Sequence, residues 1–274
     1  MNKQVERQIK QIYNAVFKKV FTQETLDDLA KGSISTVELK LAKLQSSTQY
    51  KTFCEKFAKE LAKKGLGSQR GIWRKYFEAA KKVHYVALPK TFSNYEEAVL
   101  EKAVQNNFQM IKSIPESIMK MMNRKYTSTL IEEVAKGTLS RGSFRKQLAS
   151  HGVKNAALIA RTETAKLQTV ILENRATNLG SVAYFWLASN DRRTRQSHKN
   201  MDGVLVFWNF QKPLLDEMRG HAGEFPNCRC TPQPILDDDD LTKSTYRVYN
   251  YTTDTIVVKS KREVIEMLHN ERFM

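Results

Sequence analysis

The sequence predicts an α+β protein in which helices dominate the first half and a small sheet follows. In the first half, apolar residues recur at the spacing of an amphipathic helix. Near residue 182 this period gives way to the alternation that is typical of a strand. A Thr-, Tyr- and Val-rich stretch near the end predicts a β-hairpin. We therefore expect a mainly helical N-terminal region, a compact domain of helices with a small antiparallel sheet, and a C-terminal hairpin with a helix.

The helices of the first half are predicted from apolar stripes and from helix caps. The first stripe runs from Val5 to Val20, and Lys31-Gly32-Ser33 indicates a break after it. Ser93 is expected to cap a later helix, because Glu96 three positions on would complete a capping box. Further helices are predicted over Ser35–Leu44, around Phe53–Leu61, over residues 70–88, and over Glu116–Val134.

The second half begins with two predicted helices. The first covers Phe144–Leu148 and is ended by Gly152, and the second covers Lys154–Asn178 with Gly180 as its C-cap. Strands are then expected over 182–187 and, after the Asp202-Gly203 turn, over 204–208. The four aspartates at 237–240 predict a solvated linker. A hairpin over 246–258 and a helix over 261–269 follow, so the chain divides into residues 1–130, 131–236 and 237–274.

The net charge of +16 comes mostly from the first half of the chain. Residues 1–150 contain 28 Lys and Arg against 14 Asp and Glu. A basic excess of this size favours polyanionic partners such as double-stranded DNA. Solvated helix faces on a lysine-rich protein explain the same composition, and both interpretations stay open.

The composition also excludes several classes of protein. No window approaches the roughly 18 apolar residues that a membrane helix needs, and the charged start lacks the features of a secretory signal. The three cysteines make no disulfide framework, which fits synthesis in a reducing cytoplasm.

The segment from Trp186 to Cys230 concentrates most of the residues that could carry chemistry. Its pattern is D-x-R-T-R-x-x-H-x-x-x-D-G, closed by N-C-R-C. Asp191 follows a predicted strand, and Arg193 and Arg195 are able to bind a phosphate or to pair with a carboxylate. Structural ion pairs are the favoured interpretation of these charges.

Arg161 and Glu163 form a second candidate pair, inside the long helix predicted over Lys154–Asn178. They project to different sides of that helix, so each must meet another part of the fold. We expect Arg161 to reach Asp191 or a backbone carbonyl and to hold the helix against the strand that follows. The alternative is a catalytic Arg and Glu.

His198, His221, Cys228 and Cys230 offer two imidazoles and two thiols, which is a donor set that binds zinc. However, Cys-x-Cys is tighter than the usual Cys-x2-Cys spacing. The favoured expectation is therefore no cofactor, with two buried cysteines and two hydrogen-bonded histidines in an irregular loop. Zinc at these four residues remains the alternative.

A nuclease is the enzymatic alternative. One of His198 and His221 would act as base and the other as acid, with Arg195 on the phosphodiester. The spacing matches no nuclease motif, and the sequence contains no glycine-rich phosphate loop and no HExxH. The expectation is a protein that is not an enzyme.

The order and spacing of these motifs resemble the phage head morphogenesis family, the minor head proteins related to the F protein of phage Mu. The resemblance covers about residues 130–235. It is carried by Ala160-Arg161-Thr162-Glu163, Trp186, Asp191, Arg193, Thr194, Arg195, His198, Asp202, Gly203, Phe210, Pro213 and Asn227-Cys228-Arg229-Cys230.

The resemblance implies a minor capsid protein that acts with the portal protein in procapsid assembly, inside the capsid of a virion and in the host cytoplasm during assembly. Capsid or scaffold proteins would be further partners, and DNA packaging or ejection a further role. It makes residues 131–236 the head-morphogenesis domain, in which Arg161, Glu163, Asp191 and Arg195 hold the fold together. Some relatives carry a cysteine pair at the positions of Arg195 and His198, so only His198 keeps a metal-binding side chain here.

Overall fold

A computed structural model of the chain describes residues 2–67, 70–81 and 88–272. The described helices before the sheet are α1 Lys3–Val20, α2 Gln23–Leu29, α3 Ser35–Ser46, α4 Thr48–Leu66, α5 Arg70–Ala80, α6 Phe92–Lys112, α7 Ile114–Met122, α8 Lys125–Ala135 and α9 Arg141–Thr177. The later elements are β1 Ala183–Leu187, α10 Gln196–Asn200, β2 Val204–Phe207, β3 Leu214–Leu215, β4 Met218–Arg219, β5 Thr231–Ile235, β6 Thr245–Asn250, β7 Thr255–Ser260 and α11 Lys261–Arg272. The α+β class predicted from the sequence is confirmed.

The chain forms two compact units, and the division predicted at 130 and 236 stays a prediction. The helical unit comprises Asn2–Lys64 and Val104–Thr164, and the sheet unit comprises Gly65–Ala103 and Ala165–Met274. None of the helices in the described ranges is long and apolar enough to cross a membrane.

The helical unit buries the apolar stripe that the sequence predicts on α1. Ile9, Tyr13 and Val16 are buried there. Asn2 caps the helix by accepting hydrogen bonds from the backbone N–H groups of Gln4 and Val5. The amide of Asn155 on α9 donates to the Tyr13 hydroxyl at 2.8 Å. This bond satisfies a polar atom inside an otherwise apolar core.

The sheet unit contains a five-stranded sheet in the order β5-β1-β2-β6-β7. The β1–β2, β1–β5 and β6–β7 pairs are antiparallel, and the β2–β6 pair is parallel. The parallel pair arises because the C-terminal hairpin, predicted as a separate segment, adds its first strand beside β2. All four residues of β2 are buried, as expected for a central strand.

The two faces of this sheet have separate cores. One contains Trp186, Val206 and Phe225 with Cys228 and Cys230, and the other contains Leu205, Phe207 and Val248 against α11. This arrangement follows from the alternation of side chains along β1 and β2. Trp186, Cys228 and Cys230 therefore lie on a single face of the sheet.

Three helix boundaries differ from the predictions. The expected break at Gly152 is absent and α9 is continuous, whereas the expected helix over Glu116–Val134 is two helices separated at Arg124, whose backbone is extended. Thr91, not Ser93, caps α6, because its hydroxyl accepts from the backbone N–H of Asn94. Part of the helix predicted over 70–88 lies outside the described residues.

The aspartates at 237–240 were expected to form a solvated linker but make a short 3-10 turn. The Asp237 carboxylate accepts from the backbone N–H groups of Asp239 and Asp240. This turn leads directly from β5 to the C-terminal hairpin of the same sheet.

Candidate functional site

The turn between α10 and β2 fixes the loop that follows β1. Gly203 has a φ of +73°, which favours glycine, and its backbone N–H donates to the Trp186 carbonyl at 2.7 Å. The Asp202 carboxylate accepts from the backbone N–H of Ala188 at 2.8 Å and from the Asn190 amide at 2.7 Å. The Asp-Gly pair of the motif therefore shapes the backbone around Trp186.

Asp191 pairs with Arg229, the residue between the two cysteines. The two guanidinium nitrogens of Arg229 donate to the two carboxylate oxygens of Asp191, Nη2 to Oδ1 at 2.6 Å. The backbone N–H of Arg193 and the Thr194 hydroxyl also donate to this carboxylate. Arg229 holds the pKa of Asp191 well below its usual range. Arg229 thus makes the bidentate contact to Asp191, and the expected contact of Arg161 with Asp191 or a backbone carbonyl stays a prediction.

Arg195 joins three parts of the site. Its Nη2 donates to the Pro226 carbonyl at 2.5 Å, and its Nη1 lies 3.3 Å from Asp216 Oδ2. The same Nη1 is 3.0 Å from Nε2 of His198. The Ser197 hydroxyl donates to the other oxygen of Asp216 at 2.7 Å. Arg195 thus connects α10, the β3–β4 turn and the cysteine loop.

His198, Cys228 and Cys230 are buried and lie together. Nδ1 of His198 is 3.4 Å from Sγ of Cys228 and 3.5 Å from Sγ of Cys230. These three donor atoms all lie within 4.8 Å of one another. Among the described residues, they form the group of His, Cys, Asp and Glu side chains whose donor atoms lie close enough together to bind one metal ion.

A tight turn brings the two sulfur atoms to the same side. The backbone N–H of Cys228 donates to the Phe225 carbonyl at 2.9 Å, and Asn227 adopts a φ of +55°. Asparagine tolerates this left-handed conformation better than most residues. The backbone N–H of Cys230 lies 3.4 Å from the Cys228 sulfur. The one-residue spacing is therefore compatible with both thiols facing one imidazole.

The surroundings stabilise a thiolate at one of these cysteines. Hydrogen bonds from Cys230 and His198 lower the pKa of Cys228 against the opposing effect of burial. The hydrogen bond with Cys228, then burial and the charge on Cys228, raise the pKa of Cys230. The rings of Trp186 and Phe225 pack edge-on to the imidazole, with centroids 5.9 and 4.9 Å from its own. The indole N–H of Trp186 is buried without a hydrogen-bond partner among the described residues.

A polar cleft opens beside the three side chains. Its lining consists of polar and basic residues together with the His-Cys-Cys group: Ser189, Arg193, Thr194, Arg195, His198, Asn227, Cys228, Arg229 and Cys230. The Cys-His cluster is thus buried on its apolar side and faces basic side chains on the other.

His221 belongs to a different part of the same core. Its Nδ1 lies 3.1 Å from the Tyr184 hydroxyl, and its ring packs edge-on against Trp208. Burial lowers its pKa to about 4. His221 is not part of the group with metal-ligand proximity, so the structure gathers three of the four residues in the zinc alternative.

Arg161 and Glu163 lie on α9, in the part of the helix that belongs to the helical unit. Arg161 is exposed and Glu163 is half-buried. The Trp186–Cys230 segment belongs to the sheet unit. Asp191, Arg193, Arg195 and His198 are thus gathered in one unit, as their close spacing in sequence suggested.

Sequence reasoning missed two contributors to the site, Arg229 and Asp216. Arg229 carried a signal, since it stands between the cysteines of the motif. Asp216 carried none, because the turn Leu215-Asp216-Glu217-Met218 lacks the glycine that usually marks a tight hairpin. Both Asp216 and Glu217 nevertheless have positive φ, 51° and 62°.

Comparison with known families finds a match for the segment that bears this site. Residues 124–233 match the family model described as phage Mu protein F like protein, which confirms the resemblance noted over about 130–235. The match covers less than half of the chain and contains the whole Trp186–Cys230 segment.

Two curated relatives match parts of the chain. An uncharacterized protein of Haemophilus influenzae is 31% identical over 136 residues, 49% of this chain and 29% of that protein. An NAD(+)–arginine ADP-ribosyltransferase of Enterococcus faecalis is 34% identical over 101 residues, 31% of this chain and 19% of that enzyme. The chain thus spans less than a third of the length of either relative. No solved structure gives a significant match.

Proposed function

We propose that this chain is a minor head protein of a tailed phage, which associates with the portal protein and acts in procapsid assembly. The observation that carries the proposal is the match of residues 124–233 to the Mu F-like head family, because this segment contains the complete site. The protein would reside inside the capsid near the portal, and in the host cytoplasm while heads assemble. Capsid or scaffold proteins are further expected partners.

The geometry of the site supports a binding role. Arg195 contacts Asp216 and the Pro226 carbonyl, and Arg229 contacts Asp191. These contacts fix three loops on one face of the sheet. A preorganised loop surface is what a protein-binding module requires, since little conformational entropy is then lost on association.

The same geometry gives little support to the nuclease alternative. Acid-base catalysis by two histidines requires both rings to face one substrate. Nδ1 of His198 faces two sulfur atoms, and Nδ1 of His221 faces the buried hydroxyl of Tyr184. We expect no cleavage of plasmid DNA or RNA by the purified chain. Cleavage that disappears in His198→Ala would instead support the nuclease.

Direct contact with double-stranded DNA is a secondary proposal. The excess of 28 Lys and Arg over 14 Asp and Glu in residues 1–150 supports it. DNA affinity should then fall steeply as salt rises, without cleavage. If DNA binding of this kind occurs and no head protein binds, the plain DNA-binding alternative gains support.

Incorporation into procapsids tests the main proposal. Coat, scaffold and portal proteins of the same phage would be co-expressed with the chain, and the purified particles analysed by quantitative mass spectrometry. We expect the chain in a few copies per particle, and its loss from particles made without portal protein. Particles that exclude the chain, or contain it equally without portal protein, would contradict the proposal.

A further inference from the structure

We propose that His198, Cys228 and Cys230 bind one zinc ion through Nδ1 and the two sulfur atoms, with a fourth coordination position directed to the arginine-lined cleft. This proposal concerns a metal site and does not depend on the role in head assembly.

The two distances from the imidazole nitrogen to the sulfur atoms are those of a tetrahedral zinc site. Zn–N bonds of about 2.0 Å and Zn–S bonds of about 2.3 Å at a tetrahedral angle place nitrogen and sulfur roughly 3.5 Å apart. The two observed distances from His198 Nδ1 to sulfur are 3.4 and 3.5 Å. One nitrogen is therefore equally placed toward both thiols.

Because His198 Nδ1 lies equally far from both sulfur atoms, the three side chains do not resemble a catalytic pair of one cysteine nucleophile and one histidine base. In a Cys-His catalytic pair one thiol lies on the imidazole, and a second thiol at the same distance has no role. Both sulfur atoms and the imidazole are also buried, Cys228 at 6%, Cys230 at 3% and His198 at 2% exposure. A bound metal ion would compensate for the cost of burying three polar donor atoms this close together.

The chemistry of the donors selects the ion. Two thiolates and one imidazole suit zinc, whereas calcium and magnesium prefer oxygen ligands. The Cys230 backbone N–H lies 3.4 Å from the Cys228 sulfur. N–H groups that face metal-bound thiolates are a common outer-shell feature.

An acidic side chain, that of Asp216, lies on the Nε2 side of the His198 ring. Asp216 Oδ2 lies 3.6 Å from Nε2 of His198. When Nδ1 binds a metal, Nε2 carries the hydrogen, and a carboxylate is the usual acceptor for it. Arg195 would then lose its contact with the His198 ring and keep its contacts with Asp216 and the Pro226 carbonyl. Asp216 is therefore a positioning residue for the ligand.

The fourth position faces polar groups. All three ligand residues line the cleft together with Arg193, Arg195 and Arg229. Three protein ligands with an open position characterise zinc sites that hold water or an anionic ligand. The guanidinium groups favour an anionic oxygen at this position.

The test measures metal on the full chain. Protein expressed with added zinc and purified under reducing conditions should contain about one zinc ion per chain by mass spectrometry of the elements. After removal of zinc, cobalt should produce the ligand-field bands of a tetrahedral site and a thiolate-to-cobalt charge-transfer band. Cys228→Ser, Cys230→Ser and His198→Asn should each lose most of the zinc. Asp216→Asn should weaken zinc binding by roughly 10- to 100-fold.

Cys54→Ser is the matched thiol control, because Cys54 is also buried but lies in the helical unit. It should keep the full zinc content and the cobalt spectrum. If a ligand variant does not fold by circular dichroism, the cobalt spectrum of the wild-type chain decides. Folded, reduced wild-type protein that takes up neither zinc nor cobalt would overturn the proposal. A Cys228–Cys230 disulfide in protein purified without reductant and with zinc present, detected as a mass lower by two hydrogens, would also overturn it.

Discussion

At the scale of single residues, the same side-chain type serves different purposes according to what surrounds it. His198 faces two thiols and lines a cleft, whereas His221 is enclosed by Tyr184, Trp208 and Glu224. Burial lowers the pKa of His221 to about 4 even though the charge of Glu224 opposes this shift. His221 is therefore an uncharged core residue at neutral pH, and it lowers the free energy of unfolding only when the pH falls.

Acidification should destabilise the sheet unit through His221. The pKa of His221 is about 4 in the folded protein, whereas its ordinary value of 6.5 applies in the unfolded chain. Between pH 4 and pH 6.5 the unfolded chain therefore binds more protons than the folded protein. Stability due to this residue is complete above pH 6.5 and is lost as the pH falls toward 4. We expect a loss of about 2 kcal/mol between pH 8 and pH 5. Urea unfolding followed by tryptophan fluorescence measures it, because Trp73, Trp186 and Trp208 all lie in the sheet unit.

The variant His221→Gln should remove most of this pH dependence, since glutamine does not titrate and keeps a polar group near Tyr184. His269→Gln is the control, because His269 is an exposed histidine that contacts Asp238. His151, whose pKa is also lowered, is present in all three proteins and does not affect the comparison. An unchanged pH slope in His221→Gln would show that this buried histidine is not the cause.

Arg175 should be the most costly charged residue to remove. It is 2% exposed, and it donates to Glu96 at 2.8 Å and to the Leu66 carbonyl at 2.8 Å. Its guanidinium also lies 5.8 Å from the centre of the Trp73 ring. Arg175→Met leaves Glu96 without this buried partner, so we expect a loss of about 3–5 kcal/mol in the free energy of unfolding.

Arg70→Met tests the same carboxylate from its exposed side. The Arg70 side chain is 61% exposed and lies 3.5 Å from Glu96. Its removal should cost less than about 1 kcal/mol. Urea titrations at constant ionic strength measure both variants. Equal losses in the free energy of unfolding for Arg175→Met and Arg70→Met would mean that burial does not determine how much an arginine paired with Glu96 stabilises the fold.

Residue-level prediction from the sequence singled out a motif whose members lie close together along the chain. Asp191, Arg193, Arg195, His198, Cys228 and Cys230 come together in one unit, in keeping with their spacing. It failed for partners brought in by tertiary structure. The pairing of Asp191 with Arg229 was not predicted, and Arg175 gave no signal because the pattern of α9 does not reveal which arginine meets a buried glutamate.

At the scale of elements, α9 shows why a glycine is not always a helix end. Gly152 lies inside a helix of 37 residues. A Cβ at this position would lie 2.7 Å from the ring of Phe17. Glycine is therefore needed for the close approach of Phe17 and not for a turn, a distinction that the sequence does not contain.

Gly152→Ala should destabilise the helical unit despite the better helix propensity of alanine. Alanine gains about 1 kcal/mol in propensity, but the overpacking against Phe17 costs roughly 1–3 kcal/mol. Gly142→Ala on the same helix meets nothing within 4 Å and should be neutral or slightly stabilising. Thermal unfolding followed by circular dichroism compares the two. Stabilisation by Gly152→Ala would show that the Phe17 ring moves aside without cost.

The strands were predicted where alternation was clear and missed where it was not. β1, β2 and the β6–β7 hairpin lie where the sequence placed them. β5 was not predicted, because Pro232 and Pro234 argue against a strand. It is an edge strand paired only with β1, and an edge position tolerates residues that cannot donate backbone hydrogen bonds.

At the scale of the whole molecule, the chain has a basic N-terminal half and a site-bearing segment that matches the phage Mu protein F like family. The sequence predicted both features and the α+β class. The division into two units depends on tertiary contacts, which the local patterns that define helices do not contain.

Association with the portal protein tests the central claim most directly. The chain and the portal protein of the same phage would be co-expressed, treated with nuclease, and passed through size exclusion at moderate salt. We predict a stable complex that survives nuclease treatment. Arg229→Ala should weaken it, since this change breaks the pair with Asp191 that orders the loop. Arg262→Ala is the control, because it removes an exposed pair with Glu266 on α11.

A complex that forms with the wild-type chain and the Arg262 variant, but weakly with the Arg229 variant, would support a head-assembly role for the Trp186–Cys230 segment. No complex with the wild-type chain, or one that dissociates when nucleic acid is digested, would contradict the account and make nucleic acid the direct partner.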